Sequence, residues 1–374
     1  MRIGVPTEIK SNEFRVGLVP GSVRELVARG HEVVVQSGAG AGILADDTAY
    51  EKARARIVPT AEDVFDEAEL IVKVKEPQAV EYRRLKPHQI LFTYLHLAPD
   101  PEQARGLMAS GATAIAYETV TDANGGLPLL APMSEVAGRL AIEAAAIALR
   151  RPTGGRGVLM GGVPGVRPAK VVVLGGGVVG THAARMAVGL GAEVSIIDKS
   201  LPRLRQLDEL FEGRVSTLAS TMDSIETEVL GADVVIGAVL VAGASAPKLV
   251  SRDMLKQMKR GAVLVDVSID QGGCFETSRP TTHDSPTYEV DGIIHYCVAN
   301  MPGAVPVTSA QALNNATLPF VIKLANKGVA AFDHDKHLAA GLNVRNGRIM
   351  HPAVVASLGF DGGPKGNFRL VAAE

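Results

Sequence analysis

One segment of the sequence has the residue types and spacing that bind the phosphates of a dinucleotide. Gly175-Gly-Gly177-Val-Val-Gly180 directly follows the apolar stretch KVVVL and opens the helical segment THAARMAVGL. Glycine permits a tight turn and close approach of the backbone to phosphate, and the helix amino terminus presents unpaired N–H groups. Asp198 ends the next apolar stretch, 18 residues after Gly180, where a carboxylate can accept hydrogen bonds from ribose hydroxyls. This combination predicts a dinucleotide site.

The acid at position 198 also indicates which dinucleotide the site accepts. A carboxylate repels the 2′-phosphate of NADP, so the sequence favours NAD, although the nearby cations Lys199 and Arg203 leave the preference open. A second glycine run, Gly38-Ala-Gly40-Ala-Gly42, has the wrong spacing for its third glycine, and no strand ends in an acid about 20 residues later. We therefore expect no dinucleotide there.

Polar side chains that could act on a small substrate follow several predicted strands. Arg15 lies in the loop after the first strand, Lys75 ends LIVKVK, His96 follows ILFTYL, and Asp270 follows AVLVDVSI. Ligands of doubly wound sheets bind beyond the carboxyl ends of the strands, so we expect these residues, with Asn300 and Met301, to face a shared cleft. Taken singly, each is also consistent with an ordinary solvated loop or turn residue.

Composition excludes several classes of partner. The chain has 374 residues, with 38 Lys plus Arg dispersed among 40 Asp plus Glu, so no basic surface for nucleic acid or an anionic membrane is expected. Two cysteines, Cys274 and Cys297, are too few for a disulfide framework. No signal peptide and no run of about 18 apolar residues is present, which predicts a soluble cytoplasmic protein. The charged segment Asp333-His-Asp-Lys-His337 lacks a distant matching ligand, so we expect no metal.

The first third of the chain alternates strands with capped helices. Helix starts are predicted at a capping box formed by Ser22 and Glu25, at a second one formed by Thr60 and Asp63, and at the pair Asp100-Pro101. The predicted strands span residues 2–7, 31–36, 70–75, 89–95 and 112–120. Alternation of this kind predicts a parallel sheet with right-handed crossovers.

A second alternating series follows a long helix that we expect Ser134 to cap and to end near Arg150. Its predicted strands lie at residues 170–174, 193–197, near 215, 232–236, 262–267 and 293–298. Six strands with crossovers predict a Rossmann domain.

The rest of the chain is too short to fold alone. Residues 308–326 are predicted to form a helix, and Asn346-Gly347 predicts a two-residue hairpin. We expect an α/β protein with two doubly wound domains: an NAD-binding Rossmann domain (131–305) inserted into a discontinuous Rossmann-like substrate domain (1–130 and 306–358). Residues 359–374 are expected to form a flexible tail.

Several motifs together resemble the alanine dehydrogenase and pyridine nucleotide transhydrogenase family, from residue 1 to about 358. They are Arg2 to Lys10, Glu13 to Pro20, Val72 to Pro77, Tyr94 to His96, Met133 to Arg139, the glycine loop, Val267 to Gly273, and Asn300 to Pro306. The segment around Arg15 also resembles transhydrogenase, but His96 and Asp270 fit the dehydrogenase, and the membrane helices of transhydrogenase are missing.

The resemblance implies reversible, NAD-dependent oxidative deamination of L-alanine to pyruvate and ammonium by a homo-oligomer, usually a hexamer in this family. It assigns Arg15 and Lys75 to substrate binding and His96 and Asp270 to acid–base chemistry. It assigns to the NAD site Ser134, Gly175, Gly177, Val178, Val179, Gly180, Asp198, Arg203, Ser220, Val239, Leu240, Val267, Ser268, Ile269, Asp270, Arg279, Val298, Ala299, Asn300 and Met301.

These residue types suit that reaction. The planar fork of Arg15 can bind a carboxylate, and the charge of Lys75 favours developing oxyanions. His96 can exchange protons with the amine or with water and Asp270 can orient or deprotonate water, but the sequence does not decide which is the proximal base.

Two other functions stay open at this point. One is a related Rossmann oxidoreductase, transhydrogenase-like or opine-type, that acts on a different amino or oxo acid. The other is a catalytically silent NAD-binding regulator, although Arg15, Lys75, His96 and Asp270 argue against silence.

Overall fold

The computed structural model describes residues 1–239 and 246–359. Its contacts divide the chain into two units. Of the described residues, unit 1 contains Met1–Met133 and 303–359, and unit 2 contains 134–239 and 246–302. The sequence-based boundaries were residues 130 and 305, so each lies within three residues of the division by contacts.

The elements follow one another in three stretches of chain. Up to residue 116 they are β1 (Arg2–Val5), α1 (Pro20–Ala28), β2 (Glu32–Gln36), α2 (Asp47–Lys52), β3 (Arg56–Val58), α3 (Ala61–Glu67), β4 (Leu70–Val72), α4 (Ala79–Tyr82), β5 (Ile90–Thr93), α5 (Pro101–Ser110) and β6 (Thr113–Ala116). The middle stretch has α6 (Ala131–Ala148), β7 (Lys170–Leu174), α7 (Val178–Gly189), β8 (Glu193–Asp198), α8 (Leu201–Phe211), β9 (Ser216–Ala219), α9 (Met222–Leu230), β10 (Val234–Gly237), α10 (Arg252–Leu255), β11 (Val263–Asp266), β12 (Thr287–Val290) and β13 (Ile293–Tyr296). The last has α11 (Pro306–Lys327), α12 (Lys336–Ala340), β14 (Leu342–Arg345), β15 (Arg348–Ile349) and α13 (Pro352–Leu358).

Unit 1 is built on an eight-stranded sheet in the order β15-β14-β6-β5-β4-β1-β2-β3. The first six strands along the chain pair in parallel, as expected, and β14 and β15 add an antiparallel edge. The order reverses between β1 and β4, the point at which doubly wound sheets bind ligands. The loops after β1, β4 and β5 therefore leave the same edge of the sheet side by side.

Unit 2 is built on a seven-stranded sheet in the order β12-β13-β11-β10-β7-β8-β9. Without β12 this is the Rossmann order, with its reversal between β7 and β10. Its core is apolar on both faces, because helices cover the sheet from both sides and the strands are runs of Val, Ile and Leu. The predicted α/β class with two doubly wound domains is confirmed.

Local capping chemistry correctly predicted some helix starts. Thr60 and Asp63 form the reciprocal capping box of α3, and Asp100 caps α5 in front of Pro101. The box at Ser22 was wrong: α1 begins at Pro20, whose fixed φ suits the first helical position, and Ser22 lies buried inside the helix. Ser134 is likewise no cap, because α6 already begins at Ala131.

Several strands are shorter than expected. β4 ends at Val72, and the N–H groups of the residues Val74 and Lys75 then donate to the side chain of Glu8. β6 ends at Ala116, where a 3-10 turn begins. The antiparallel strand β12 was not predicted. The Asn346-Gly347 hairpin was predicted correctly: both residues have positive φ, and Arg345 pairs with Arg348. Of the predicted tail, residues 360–374 lie outside the described residues.

Candidate active site

In unit 1 the predicted substrate residues occupy adjacent loops at one edge of the sheet. Arg15 lies between β1 and α1, Lys75 lies three residues after β4, and His96 lies three residues after β5. Strands β1, β4 and β5 are neighbours in the sheet. The topology therefore gathers three positions that are up to 81 residues apart in the sequence.

Arg15 is buried and already engaged by an acid of its own loop. The Glu13 carboxylate accepts hydrogen bonds from Nε of Arg15 at 2.6 Å and from Nη2 at 2.5 Å. Nη1 lies 2.9 Å from the sulfur of Met133. Burial disfavours the guanidinium charge, but the bonds to Glu13 outweigh this and raise the pKa of Arg15. One edge of the expected carboxylate fork is thus used within the chain, and the contacts of Nη1 include a weak acceptor, the thioether of Met133.

Lys75 is held through its backbone by a buried carboxylate. Glu8 accepts hydrogen bonds from the N–H of Val74 at 2.7 Å and from the N–H of Lys75 at 3.3 Å. Glu8 also pairs with the ammonium of Lys73 at 3.1 Å, and Glu81 pairs with that ammonium at 2.7 Å. All three charged side chains of this triad are at most 2% exposed. Burial disfavours the Lys73 charge, but the two carboxylates outweigh it and raise the pKa of Lys73.

His96 has an unusual backbone conformation, with φ at +47°. Glu118 supports it, since its carboxylate accepts the N–H of His96 at 2.6 Å and the N–H of Leu95 at 3.1 Å. The ring stacks on Tyr94 with centroids 5.7 Å apart, and Nδ1 lies 3.3 Å from Oε2 of Glu76. A left-handed residue that is not glycine persists only where its surroundings fix it, and such positions concentrate at functional sites.

Glu76 is an acid of this edge whose pKa is strongly shifted. Its other oxygen, Oε1, forms a short ion pair with Lys10. Burial alone would raise the pKa of Glu76, but the hydrogen bond from His96 and the charges of Lys75 and Lys10 hold it far below its usual range. Glu76 is therefore an ionised carboxylate, which only accepts hydrogen bonds.

A crevice of about 340 Å³ adjoins this region. It is lined by the loop after β1, including Lys10 and Arg15, and by residues of the second glycine run. That run leads into a single 3-10 turn, Ala41–Ile43, and not into an α-helix. It therefore offers no helix amino terminus for phosphate.

In unit 2 the glycine loop has the geometry that a dinucleotide requires. Gly175 has φ at +100°, a conformation that disfavours any side chain. A Cβ on Gly180 would lie 1.8 Å from the carbonyl oxygen of Gly175, so the loop closes onto the start of α7. A Cβ on Gly177 would meet no atom within 4 Å, so this glycine keeps clear the space in front of the helix amino terminus. The residues present thus fit a pyrophosphate group.

Asp198 and Arg203 frame this loop. The Asp198 carboxylate accepts the N–H of Gly176 at 2.7 Å and that of Ser200 at 2.8 Å. The Arg203 guanidinium donates to the carbonyl of Gly176 at 2.7 Å and to Oγ1 of Thr181 at 2.8 Å. Asp198 therefore lies at the end of β8 beside the glycine turn, and Arg203 fastens that turn from α8.

Most of the other predicted cofactor residues follow parallel strands at the same edge of the sheet. They are Ser220 after β9, Val239 after β10, Val267 to Asp270 after β11, and Val298 to Met301 after β13. Ser268 donates from Oγ to the carbonyl of Val239 at 2.7 Å, which joins two of these loops. Leu240 lies outside the described residues.

Two predicted cofactor residues, Ser134 and Arg279, do not directly follow a parallel strand of the sheet. Ser134 lies in the first turn of α6, and one turn later a Cβ on Gly138 would lie 2.3 Å from the carbonyl of Val179, so α6 packs closely on α7. The guanidinium of Arg279 lies over the ring of Tyr288 on the edge strand β12, 4.0 Å from its centroid.

Asp270 is exposed in a 3-10 turn, Ile269–Gln271, whose loop is organised by a buried acid that the sequence analysis missed. Asp266 ends β11 and accepts hydrogen bonds from the hydroxyl of Ser278 at 2.5 Å and the N–H groups of Ser268 and Cys274. Burial outweighs these bonds and raises the pKa of Asp266.

The sequence analysis made no prediction for Glu8, Glu13, Glu76 and Glu118 in unit 1 or for Asp266 in unit 2. A signal was available for Glu8, Glu13 and Glu76, which lie within the matched segments. Nothing local marked Glu118, which acts on a loop 22 residues away.

No group of three metal-binding side chains occurs in the part of the chain that the structure describes. The segment from Asp333 to His337 has structural contacts instead: Asp335 caps α12 and pairs with Lys323, and His337 contacts Thr121. Both cysteines are buried and free. Among the helices of residues 1–239 and 246–359, none combines the length and apolar character needed to span a bilayer.

Two family models match consecutive parts of the chain. One is described as "Alanine dehydrogenase/PNT, N-terminal domain" and matches residues 4–137. The other is described as "Alanine dehydrogenase/PNT, C-terminal domain" and matches residues 141–352. Together they span both units.

Individual proteins agree with the models. The chain is 59% identical over 362 residues to an alanine dehydrogenase of Halomonas elongata, covering 96% of this chain and 98% of the relative. It is 54% identical over 363 residues to an alanine dehydrogenase of Bacillus subtilis, covering 96% of each.

Solved structures give the same result. An L-alanine dehydrogenase superposes with a TM-score of 0.93 at 56% identity, covering 96% of this chain and 99% of that one. A transhydrogenase from Sinorhizobium meliloti superposes with a TM-score of 0.81 at 27% identity, covering 94% of this chain and 100% of that one. The family models, the near full-length relatives and the shared fold establish that the chain belongs to the alanine dehydrogenase/PNT family.

Proposed function

We propose that the chain is an alanine dehydrogenase that interconverts L-alanine with pyruvate and ammonium, with NAD as the hydride acceptor. The observation that carries the proposal is the high identity over nearly the full length to curated alanine dehydrogenases. The strand-end loops of unit 1 support it independently, because they bring Arg15, Lys75 and His96 to adjacent positions.

In this proposal the loops of unit 1 bind the amino acid. The guanidinium of Arg15 binds the substrate carboxylate, because its planar set of N–H donors matches the two oxygens of a carboxylate. Lys75 places a positive charge where the carbonyl oxygen of pyruvate and of the carbinolamine develops negative charge. Glu8 and Glu13 act by positioning these two cations.

His96 and Asp270 manage the protons. The imidazole of His96 is partly exposed and fixed on Tyr94, so it can exchange a proton with the substrate amine or with water. The carboxylate of Asp270 orients the water that attacks the imine carbon. Bound NAD supplies the chemistry that no side chain has, since nicotinamide C4 accepts the hydride from the substrate Cα.

The glycine loop, Asp198 and the loops after β9, β10, β11 and β13 would hold the dinucleotide. Asp198 supports NAD over NADP, because its carboxylate repels a 2′-phosphate. We expect Asp198→Ala to narrow the ratio of kcat/KM for NAD to that for NADP. An unchanged ratio would remove Asp198 from the cofactor assignment.

The deciding experiment follows NADH absorbance when purified protein receives NAD with L-alanine, glycine, L-serine or L-lactate, and NADH with pyruvate and ammonium. We expect L-alanine to give the highest kcat/KM. We expect His96→Gln and Asp270→Asn each to lower kcat at least about 100-fold while NAD still binds. Preference for another acid would favour a related oxidoreductase, and NAD binding without turnover of any substrate would favour a regulator.

We also propose a cytoplasmic homo-oligomer, as the family resemblance implies a hexamer. The exposed apolar side chains of Leu159, Val163, Val166 and Leu190 in unit 2 support association, since such residues are costly to leave in water. Sedimentation velocity measures the assembly directly, and a monomer at micromolar concentration would contradict it.

A further inference from the structure

Two carboxylates contact the His96 residue, one at its backbone and the other at its imidazole ring. Glu118 binds the backbone N–H groups of Leu95 and His96 and so fixes the loop. Glu76 approaches the ring, with Oε2 3.3 Å from Nδ1. Among the described residues, no hydrogen bond is formed by Nε2 of this ring.

The chemistry of Glu76 decides which ring nitrogen carries the proton. A carboxylate that is ionised throughout the physiological range accepts hydrogen bonds and cannot donate them. Nδ1 must therefore be the donor in the contact with Glu76. In neutral imidazole only one nitrogen is protonated, so Nε2 then has the free lone pair.

Lys10 keeps the two oxygens of Glu76 distinct. Its ammonium pairs with Oε1, while Oε2 faces Nδ1 of His96. Because an ammonium group only donates, Lys10 always requires an acceptor at the Oε1 position. The stacking of the imidazole on Tyr94, with 20° between the ring planes, restrains the ring from turning over.

We propose that Glu76 is a positioning residue that selects the Nδ1–H tautomer of His96 and so presents a basic Nε2. The inference rests on the proposed function only for the use of that base, because the tautomer itself is a property of the free protein. Glu76 acts on Nε2 through the imidazole ring, as a carboxylate orients the histidine of a Ser-His-Asp triad or of a metal site.

The test changes Glu76 to glutamine and reads the tautomer by solid-state ¹⁵N spectra of protein labelled at histidine, at a pH where the imidazole is neutral. His96→Gln identifies the His96 signals among the nine histidines. In Glu76→Gln, Lys10 takes the amide oxygen and the NH₂ group turns towards Nδ1. We therefore expect the proton to move to Nε2 and kcat to fall at least about tenfold.

A second substitution separates this effect from simple structural damage. In the double variant Glu76→Gln with Lys10→Met, nothing holds the amide oxygen near position 10, so the amide can turn that oxygen to Nδ1. We expect the Nδ1–H signal to return, and kcat to recover in part. Glu102→Gln, at an exposed acid of α5, is the matched control and keeps the wild-type tautomer.

A wild-type spectrum with Nε2–H, or the same tautomer in wild type and Glu76→Gln, would overturn the inference. If the tautomers change as expected while His96→Gln turns over L-alanine at the wild-type rate, the inference stands and the proposed role of His96 fails. The spectra and the kinetics therefore judge the two claims separately.

Discussion

The six parallel strands of the two sheets have the same order, but the residues at their carboxyl edges are of different kinds. In unit 1 the edge relies on charged side chains: the buried Glu8 and Glu13 and the partly buried Glu76 and Glu118 hold the loops that bear cations and a histidine. In unit 2 the glycine loop contributes mainly backbone shape and N–H groups, with Asp198 beside it, and the buried Asp266 organises the loop after β11.

This contrast matches what each edge is proposed to recognise. A small amino acid offers few contacts, so charged groups must be fixed in advance, and buried carboxylates do this because each accepts several hydrogen bonds. A pyrophosphate needs room and backbone donors, which glycine supplies without any charged side chain. The buried acids of unit 1 are consequently the most sensitive part of the molecule to loss of a partner.

The largest effect is expected in the charged triad of unit 1. Lys73→Met leaves Glu8 and Glu81 buried without their cation, which should lower the free energy of unfolding by about 3–5 kcal/mol. Urea denaturation measures this change in the free energy of unfolding. The control is Lys86→Met, which removes an exposed pair with Asp66 and should cost at most about 1 kcal/mol. Equal losses in both variants would contradict the contrast between the edges.

A second prediction concerns a substitution that disturbs the glycine loop of unit 2 by its volume and not by its charge. Gly180→Ala places a Cβ 1.8 Å from the carbonyl of Gly175 and must push the loop aside. NAD affinity should fall on the order of 100-fold, as expected for a misplacement of about 1 Å. Gly189→Ala, in the same helix with nothing within 4 Å of the new Cβ, should leave affinity unchanged. Calorimetric titration with NAD decides; unaltered binding in Gly180→Ala would argue against the loop as the site.

The smallest expected effect is on how the free energy of unfolding depends on pH. The folded protein holds the pKa of Glu76 below its ordinary value of 4.5, so this carboxyl contributes stability above that value and loses it as the pH falls further. Wild type should therefore lose more unfolding free energy than Glu76→Gln between pH 6 and pH 3. The difference should be at least about 1.4 kcal/mol, the free energy of a tenfold change in proton affinity. Parallel pH curves would show that Glu76 is not stabilised as an anion.

The sequence by itself determined those features whose causes are local. The glycine loop with Asp198, the capping box of Thr60 and the hairpin at Asn346-Gly347 were all predictable, because neighbouring residues fix their backbone geometry. The alternation of strands and helices was enough for the doubly wound class. The prediction of helix caps failed at Ser22 and Ser134, because each helix begins two or three residues before the serine.

Only the tertiary structure decided how the proposed functional residues are held. Glu8 binds the backbone of Val74, 66 residues away, and Glu118 binds that of His96, 22 residues away. These partners meet because of the strand order, and no local spacing encodes that order. Burial strengthens the contact of Glu8 in particular, since a charge removed from water must find its partner within the protein.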